Sequence, residues 1–150
     1  PFATDELALV LPTNHKLSNS KELTKEDLYS LGFITLDTQS TTRKVVDQLL
    51  SSSGLDVQRL HIEMELNSLE AIKNAVQANL GAAFLPVVSI ERELLGGSLN
   101  RPIVADLEVK RELKVITNPG RYSSRAAEAF TKDILPLFAS PFSPLFIDKN

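Results

Sequence analysis

The chain has 150 residues, no cysteine and a net charge of −3. Its hydrophobic fraction of 43% and charged fraction of 23% are those of an ordinary folded domain, which excludes whole-chain disorder. The acidic balance excludes a basic nucleic-acid-binding domain. The missing cysteines exclude a disulfide scaffold, an iron–sulfur cluster, a thiol nucleophile and the usual zinc fingers. No apolar run approaches the roughly 20 residues of a membrane-spanning helix, and no charged-then-apolar secretory leader is visible. A chain that begins at Pro1 reads as a fragment of something longer.

Leu7-Ala8-Leu9-Val10-Leu11, stopped by Pro12, predicts a buried strand. Residues 13–24 are polar and loop-like, with a short helical turn at Lys25 to Leu31. Phe33 to Asp37 is the next strand. It gives way to Thr38-Gln39-Ser40-Thr41-Thr42, whose hydroxyls can cap a helix carrying Val45, Val46, Leu49 and Leu50 at helical spacing. Gly54 stops that helix.

Leu60 to Leu66 alternates apolar and polar residues and predicts a half-buried strand. Asn67 or Ser68 caps a helix with Leu69, Ile72, Val76 and Leu80 on one face, ended by Gly81. Ala82 to Val88 is a strand interrupted by Pro86, followed by a short helix over about 89–95 and a Gly96-Gly97 turn. Ile103-Val104 is a weak strand. Val109 to Thr117 is a stronger one, with Val109, Arg111, Leu113, Val115 and Thr117 on one face, and Asn118-Pro119-Gly120 breaks the chain. Ser123 or Ser124 caps a last helix that buries Ala127, Phe130 and Ile134 and ends at Pro136. Strand–helix alternation from Phe33 to Leu85 predicts an α/β fold with a mostly parallel sheet. In such sheets ligands sit at the carboxyl ends of strands, where helix N-termini point.

His15 and His61 have no metal partner at useful spacing and read as solvent-facing residues. Glu63 and Glu65 share a strand face but lack the paired arrangement of a glycosidase and read as solvated charges. No dinucleotide fingerprint, nucleophile elbow or phosphate loop occurs, and no catalytic constellation emerges. No metal or cofactor is implied. The suggestive stretch is Thr38 to Arg43. It follows a strand and opens a helix, where free N–H groups and the helix dipole favour an anion, hydroxyls add hydrogen bonds, and Arg43 can add charge. A plain cap would need only one of those hydroxyls. Asn67-Ser68 is a second polar junction, which shares the same cleft if the two strands are sheet neighbours.

Glu65–Pro86 (ELNSLEAIKNAVQANLGAAFLP) resembles the most recognisable segment of the effector domain of LysR-type transcriptional regulators. Leu7 to Pro12 with His15 and Leu17 resembles that family's strand before the crossover. Thr41-Thr42-Arg43, with Gly54-Leu55 at the helix end, resembles the branch that controls carbon-fixation and inorganic-carbon-uptake genes in autotrophic bacteria, cyanobacteria and algal plastids. Ser123 to Phe130 resembles the family's final helix. The similarity covers about residues 5–138. Two departures stand out. Gln39-Ser40-Thr41 replaces a turn that is often glycine-rich, which crowds the backbone but keeps side-chain hydrogen bonding. Pro86 replaces a frequent serine and stiffens the strand exit.

The resemblance implies a periplasmic-binding-protein-like (type 2) fold of two α/β lobes, with lobe two at 20–105 and an incomplete lobe one at 1–19 and 106–150. It implies a cytoplasmic or plastid-stromal sensor, not an enzyme. This sensor binds a small anionic metabolite between the lobes through Thr38, Gln39, Ser40, Thr41, Thr42, Arg43, Asn67 and Ser68. Candidate effectors are ribulose bisphosphate, phosphoglycolate, 2-oxoglutarate and NADPH. DNA would be bound only through a helix-turn-helix domain outside this chain, in a homodimer or homotetramer. Rival readings are a transporter-associated solute-binding protein of the same fold and an enzyme on that fold, such as a deaminase-type transferase.

Overall fold

A computed structural model describes residues 3–116 and 124–138. Strand β1 (Ala3–Pro12) is followed by α1 (Lys25–Leu28), β2 (Gly32–Leu36), α2 (Thr41–Ser52), β3 (His61–Leu66) and α3 (Leu69–Gln77). Then come β4 (Ala83–Pro86), α4 (Glu91–Leu95), β5 (Leu99–Asn100), β6 (Val109–Leu113), α5 (Arg125–Ala129) and α6 (Leu135–Phe138). The chain divides into two units, one of Glu6–Lys110 and one of Pro1–Asp5 with Arg111–Asn150.

In the larger unit β2 pairs with β3 in parallel. Ala82, just before β4, bridges Phe33 in parallel. The sheet is nevertheless mixed rather than mostly parallel, because β1 runs antiparallel to both β4 and β5. Strand β1 precedes the alternating series, so no β–α–β crossover fixes its direction.

Both faces of the sheet are covered, which explains why residues 7–11 read as unbroken apolar sequence. Leu7, Leu9, Leu11 and Phe33 join Leu28 and Leu50 on one face. Val10, Ile34 and Leu85 join Ile72, Val76 and Ile90 on the other. Helices α1 and α2 therefore cover the first face, and α3 and α4 the second. Each fully buried aliphatic side chain contributes about 1.5–3 kcal/mol to holding these layers together.

Helices α2 and α3 end by the same device. Gly54 at φ 83° and Asn79 at φ 62° each take the left-handed conformation. Leu55 N–H then donates to Leu50 O, and Leu80 N–H to Ala75 O. This is the six-to-one closure that satisfies the last carbonyls of a helix. The stop of α3 is thus Asn79 and not Gly81, because asparagine tolerates the left-handed region. Gly81 serves a different need: a Cβ there would fall 2.8 Å from Gly32 O. Its bare backbone lets the chain approach β2, where Ala82 N–H donates to Gly32 O and Ile34 N–H to Ala82 O, each at 2.8 Å.

Several side chains expected in the core lie outside it. On α3 the buried residues are Ile72, Ala75 and Val76, while Leu80 is 52% exposed because the chain has already left the helix. Ile103 is exposed, and only Val104 bridges Leu23. The strand that begins at Val109 ends at Leu113, and Val115 is exposed. Thr117, Asn118-Pro119-Gly120 and Ser123 lie outside the described residues.

In the smaller unit Arg111 donates to Asp5 Oδ2 through Nε (2.9 Å) and Nη2 (2.6 Å). Ser124 caps α5 by accepting from Ala127 N–H. Phe130 and Ile134 are exposed rather than buried, since the described residues of this unit provide no second layer over them. Pro136 does not end the helix. A π-turn over Phe130–Ile134, closed by Leu135 N–H donating to Phe130 O, restarts the winding, and Pro136 falls in the first turn of α6, where its missing N–H is tolerated.

Candidate functional site

Strands β2 and β3 end flush, with Leu36 opposite Leu66. The two polar junctions are therefore neighbours at one carboxyl edge, the position where parallel α/β sheets present ligand sites. Asp37 N–H donates to Leu66 O at 3.1 Å and pins the first junction beside the second. Asp37 Oδ1 accepts from Gln39 N–H at 2.7 Å, and Asp37 O accepts from Ser40 N–H. This turn leaves Thr38 and Gln39 exposed and delivers Ser40 as the cap of α2.

The Ser40 hydroxyl accepts from Arg43 N–H at 3.4 Å. Thr41 and Thr42 form the first two positions of the helix and are exposed. At those positions backbone N–H groups have no partner within the helix, so they and the two hydroxyls are available donors. The first turn of α2 contains no acidic residue. At the second junction Ser68 caps α3 by accepting from Ala71 N–H at 3.1 Å, Asn67 is exposed, and Glu70 supplies a carboxylate in the first turn.

Arg43 sits differently from the free cation that the sequence suggests. Its side chain is only 14% exposed. Nε donates to both carboxylate oxygens of Asp47, at 2.9 and 2.8 Å. Nη1 donates to Thr35 Oγ1 (2.5 Å) and to Leu36 O (3.0 Å), and lies 3.6 Å from Glu65. Two carboxylates thus meet its charge.

Sequence reasoning named Arg43 and Glu65 but missed that they meet, and missed Asp47 and Thr35. The i, i+4 spacing of Arg43 and Asp47 was a readable signal. The approach of Glu65 needed the β2–β3 pairing.

The remaining titratable candidates do not converge. His61 Nε2 lies 3.0 Å from Glu63 on the exposed side of β3. His15 is partly buried, and its Nδ1 accepts from Leu17 N–H. Burial, and secondarily the nearby Lys16 charge, hold its pKa below the ordinary imidazole value. Among the described residues no group of three or more His, Asp or Glu side chains could hold a metal ion. Two hollows lie elsewhere in the larger unit. One of about 120 Å³ is lined by residues including Glu6, Phe84 and Arg101. An open groove of about 570 Å³ is lined by residues including Glu22, Ser53 and Glu108. Residues 38–43 and 67–68 line neither.

A sheet with helices on both faces, its parallel strand ends opening onto polar helix starts, defines a periplasmic-binding-protein-like (type 2) effector fold. Residues 1–137 match the family described as the LysR substrate binding domain, and the chain belongs to that family. It is 56% identical over 141 residues to the "Probable RuBisCO transcriptional regulator" of Trichormus variabilis, covering 94% of this chain and 42% of that one. The protein of the same name from Gracilaria tenuistipitata var. liui is 55% identical over 140 residues, covering 93% and 45%.

Among solved structures, the regulatory domain of Synechocystis CcmR in complex with 2-PG superposes with a TM-score of 0.74 at 22% identity, covering 92% of this chain and 65% of that one. The effector binding domain of QuiR in complex with shikimate gives 0.68 at 18% identity, covering 92% and 63%. At such identities these two establish a shared fold. The chain spans about two-fifths of the length of the regulators it matches. Among the described residues no helix is long and apolar enough to cross a membrane.

Proposed function

We propose that this domain senses a small anionic metabolite on behalf of a LysR-type transcription factor controlling carbon-assimilation genes. One observation carries the reading. The flush ends of parallel β2 and β3 open side by side onto a helix start with available N–H and hydroxyl donors and no carboxylate in its first turn. Thr38, Gln39, Thr41, Thr42 and Asn67 offer donors to the effector, Ser40 and Ser68 shape the two helix starts, and Arg43 stands behind them.

In this proposal residues 20–105 form lobe two, and 1–19 with 106–150 belong to lobe one. The effector binds between the lobes. Its tighter binding to one arrangement shifts the population of subunit arrangements on DNA, contacted by a helix-turn-helix outside this chain in a homodimer or homotetramer. The chemistry is recognition rather than turnover, in the cytoplasm or plastid stroma. The names of the relatives support control of carbon assimilation. The 2-PG complex of CcmR puts phosphoglycolate first among the effectors to try, ahead of ribulose bisphosphate, 2-oxoglutarate and NADPH.

Calorimetry on the full-length regulator with these four compounds tests the reading. Replacing Thr41 and Thr42 together by valine leaves the helix dipole and the Ser40 cap but removes two donors. Hydrogen bonds to a charged group contribute roughly 1.5–3 kcal/mol each, so affinity for the compound that binds should fall about tenfold or more. Equal binding by the double variant would make this helix start a cap and nothing else.

A further inference from the structure

Resting on the reading of the α2 start as effector-facing, we propose that Arg43 is a positioning residue and not the effector's cation. Its guanidinium is a tie between three elements. Within α2 it grips Asp47 one turn on through Nε. Through Nη1 it reaches back to the last residues of β2, Thr35 Oγ1 and Leu36 O. Across the sheet it faces Glu65, which pairs with Thr35 in the β2–β3 register. Thr35 spends its own proton on Leu36 O at 2.8 Å, so its hydroxyl oxygen is free to accept from Arg43.

This geometry uses what arginine has and lysine lacks: N–H groups diverging in one plane toward acceptors in different directions. Three N–H groups are spent on the protein, and Asp47 and Glu65 together bring two negative charges to one positive. An anion recruited to this guanidinium would meet those carboxylates as well. The tie instead fixes where Thr41 and Thr42 stand. The turn Asp37–Ser40 is already pinned to β3 from the loop side by the bond from Asp37 N–H to Leu66 O. Arg43 pins it from the helix side, so the hydroxyls one and two residues upstream project from a fixed edge. Positioning donors before the ligand arrives lowers the ordering cost of binding.

The test compares Arg43→Lys with Arg43→Gln in the full-length protein by two readouts. The first needs no effector: amide hydrogen exchange over residues 37–44. Both variants should speed exchange of the hydrogen-bonded amides there (Asp37, Gln39, Ser40, residue 43 and Lys44) at least about tenfold while the amides of α3 keep their protection. Asp47→Asn, which removes one anchor and leaves the guanidinium, should give a smaller change in the same segment. The second is affinity for 2-phosphoglycolate at pH 5.5 and at pH 8, which span the phosphate's second ionisation near 6.

A positioning role predicts that Lys and Gln lose affinity alike, by about tenfold, and that the loss is equal at both pH values. A direct cation predicts that Lys retains affinity and that the Gln loss grows with the charge on the ligand. Either of those results, or unchanged exchange over 37–44, would overturn the proposal. If 2-phosphoglycolate does not bind the parent protein, the choice of effector fails, and the exchange data still decide whether Arg43 positions the helix start.

Discussion

Helix α2 begins after β2 through Asp37–Ser40, and helix α3 begins after β3 through Asn67–Ser68. In each a serine hydroxyl closes the first turn, on Arg43 N–H in one case and Ala71 N–H in the other. The two helix starts lie side by side, yet their charges are arranged in opposite ways. In α3 the first turn carries Glu70, which supplies its own partner for the positive end of the helix dipole and pairs with Lys73 at 2.9 Å. In α2 the first turn carries no carboxylate; Asp37 in the preceding turn is engaged with Gln39 N–H, and Asp47 and Glu65 are engaged with Arg43. A helix start that provides its own anion has little need of another, whereas one that withholds it stays receptive. Under the proposed reading, that contrast makes the α2 start the main anion-facing junction and leaves Asn67 as the contribution of the α3 start.

The largest expected effect tests how α3 is held. Ile72 is 2% exposed, whereas Leu69 at the start of the same helix is 36% exposed. Ile72→Ala should cost about 2–5 kcal/mol in chemical denaturation through lost burial and a residual cavity. Leu69→Ala should cost on the order of 0.5 kcal/mol. Similar losses at the two positions would mean that α3 presents a different face to the sheet and that its start points elsewhere.

Much of this was legible because it is local. Apolar period and breaker residues located β1, β2, α2, β3 and α3, and Gly54 marked the end of α2. What the sequence could not carry was pairing. Whether β2 and β3 are neighbours decides whether Ser40 and Ser68 share an edge, and no short-range pattern encodes it. The same holds for Arg43, whose isolated reading is a cation beside a helix start and whose actual partners include Glu65 on another strand. Asn79 was overlooked because Gly81 is the stronger helix-stop signal, although Gly81 serves the contact with Gly32. Pro136 misled because a π-turn upstream lets the helix restart.

The next effect in size converts one helix start into the other. Thr42→Glu places a carboxylate in the first turn of α2, the feature that Glu70 gives α3. Like charge close to the bound effector should lower affinity for phosphoglycolate about tenfold or more, read by calorimetry. The same carboxylate should leave thermal stability unchanged or raise it by about 0.3–1 kcal/mol through the dipole. A variant that binds as well as the parent would show that the first turn of α2 does not face the ligand.

Smaller still is the cap itself. Ser68→Ala removes the bond to Ala71 N–H and should cost about 1 kcal/mol. Ser40→Ala should cost less, since its bond is longer, 3.4 Å against 3.1 Å, and Arg43 holds the same turn by other contacts. A larger loss at Ser40 in denaturation experiments would mean that the arginine tie contributes little to the α2 start.

The smallest effect concerns the charge that α3 supplies for itself. Glu70→Gln should cost about 0.3–1 kcal/mol at low ionic strength and fade as salt is added, because the residue is exposed. Lys73 keeps its second partner, Glu93 on α4, at 2.8 Å. Hydrogen bonding from Lys73 holds the Glu93 pKa below its ordinary value of 4.5. A carboxylate depressed in this way adds stability that is fully present above pH 4.5 and is lost as the pH falls through its folded value. Glu93→Gln should therefore flatten the stability profile below pH 4.5. If Glu93→Gln leaves the acid limb as steep as in the parent, the Lys73 contact does not hold the Glu93 carboxylate ionised, and α3 is tied to α4 by packing alone.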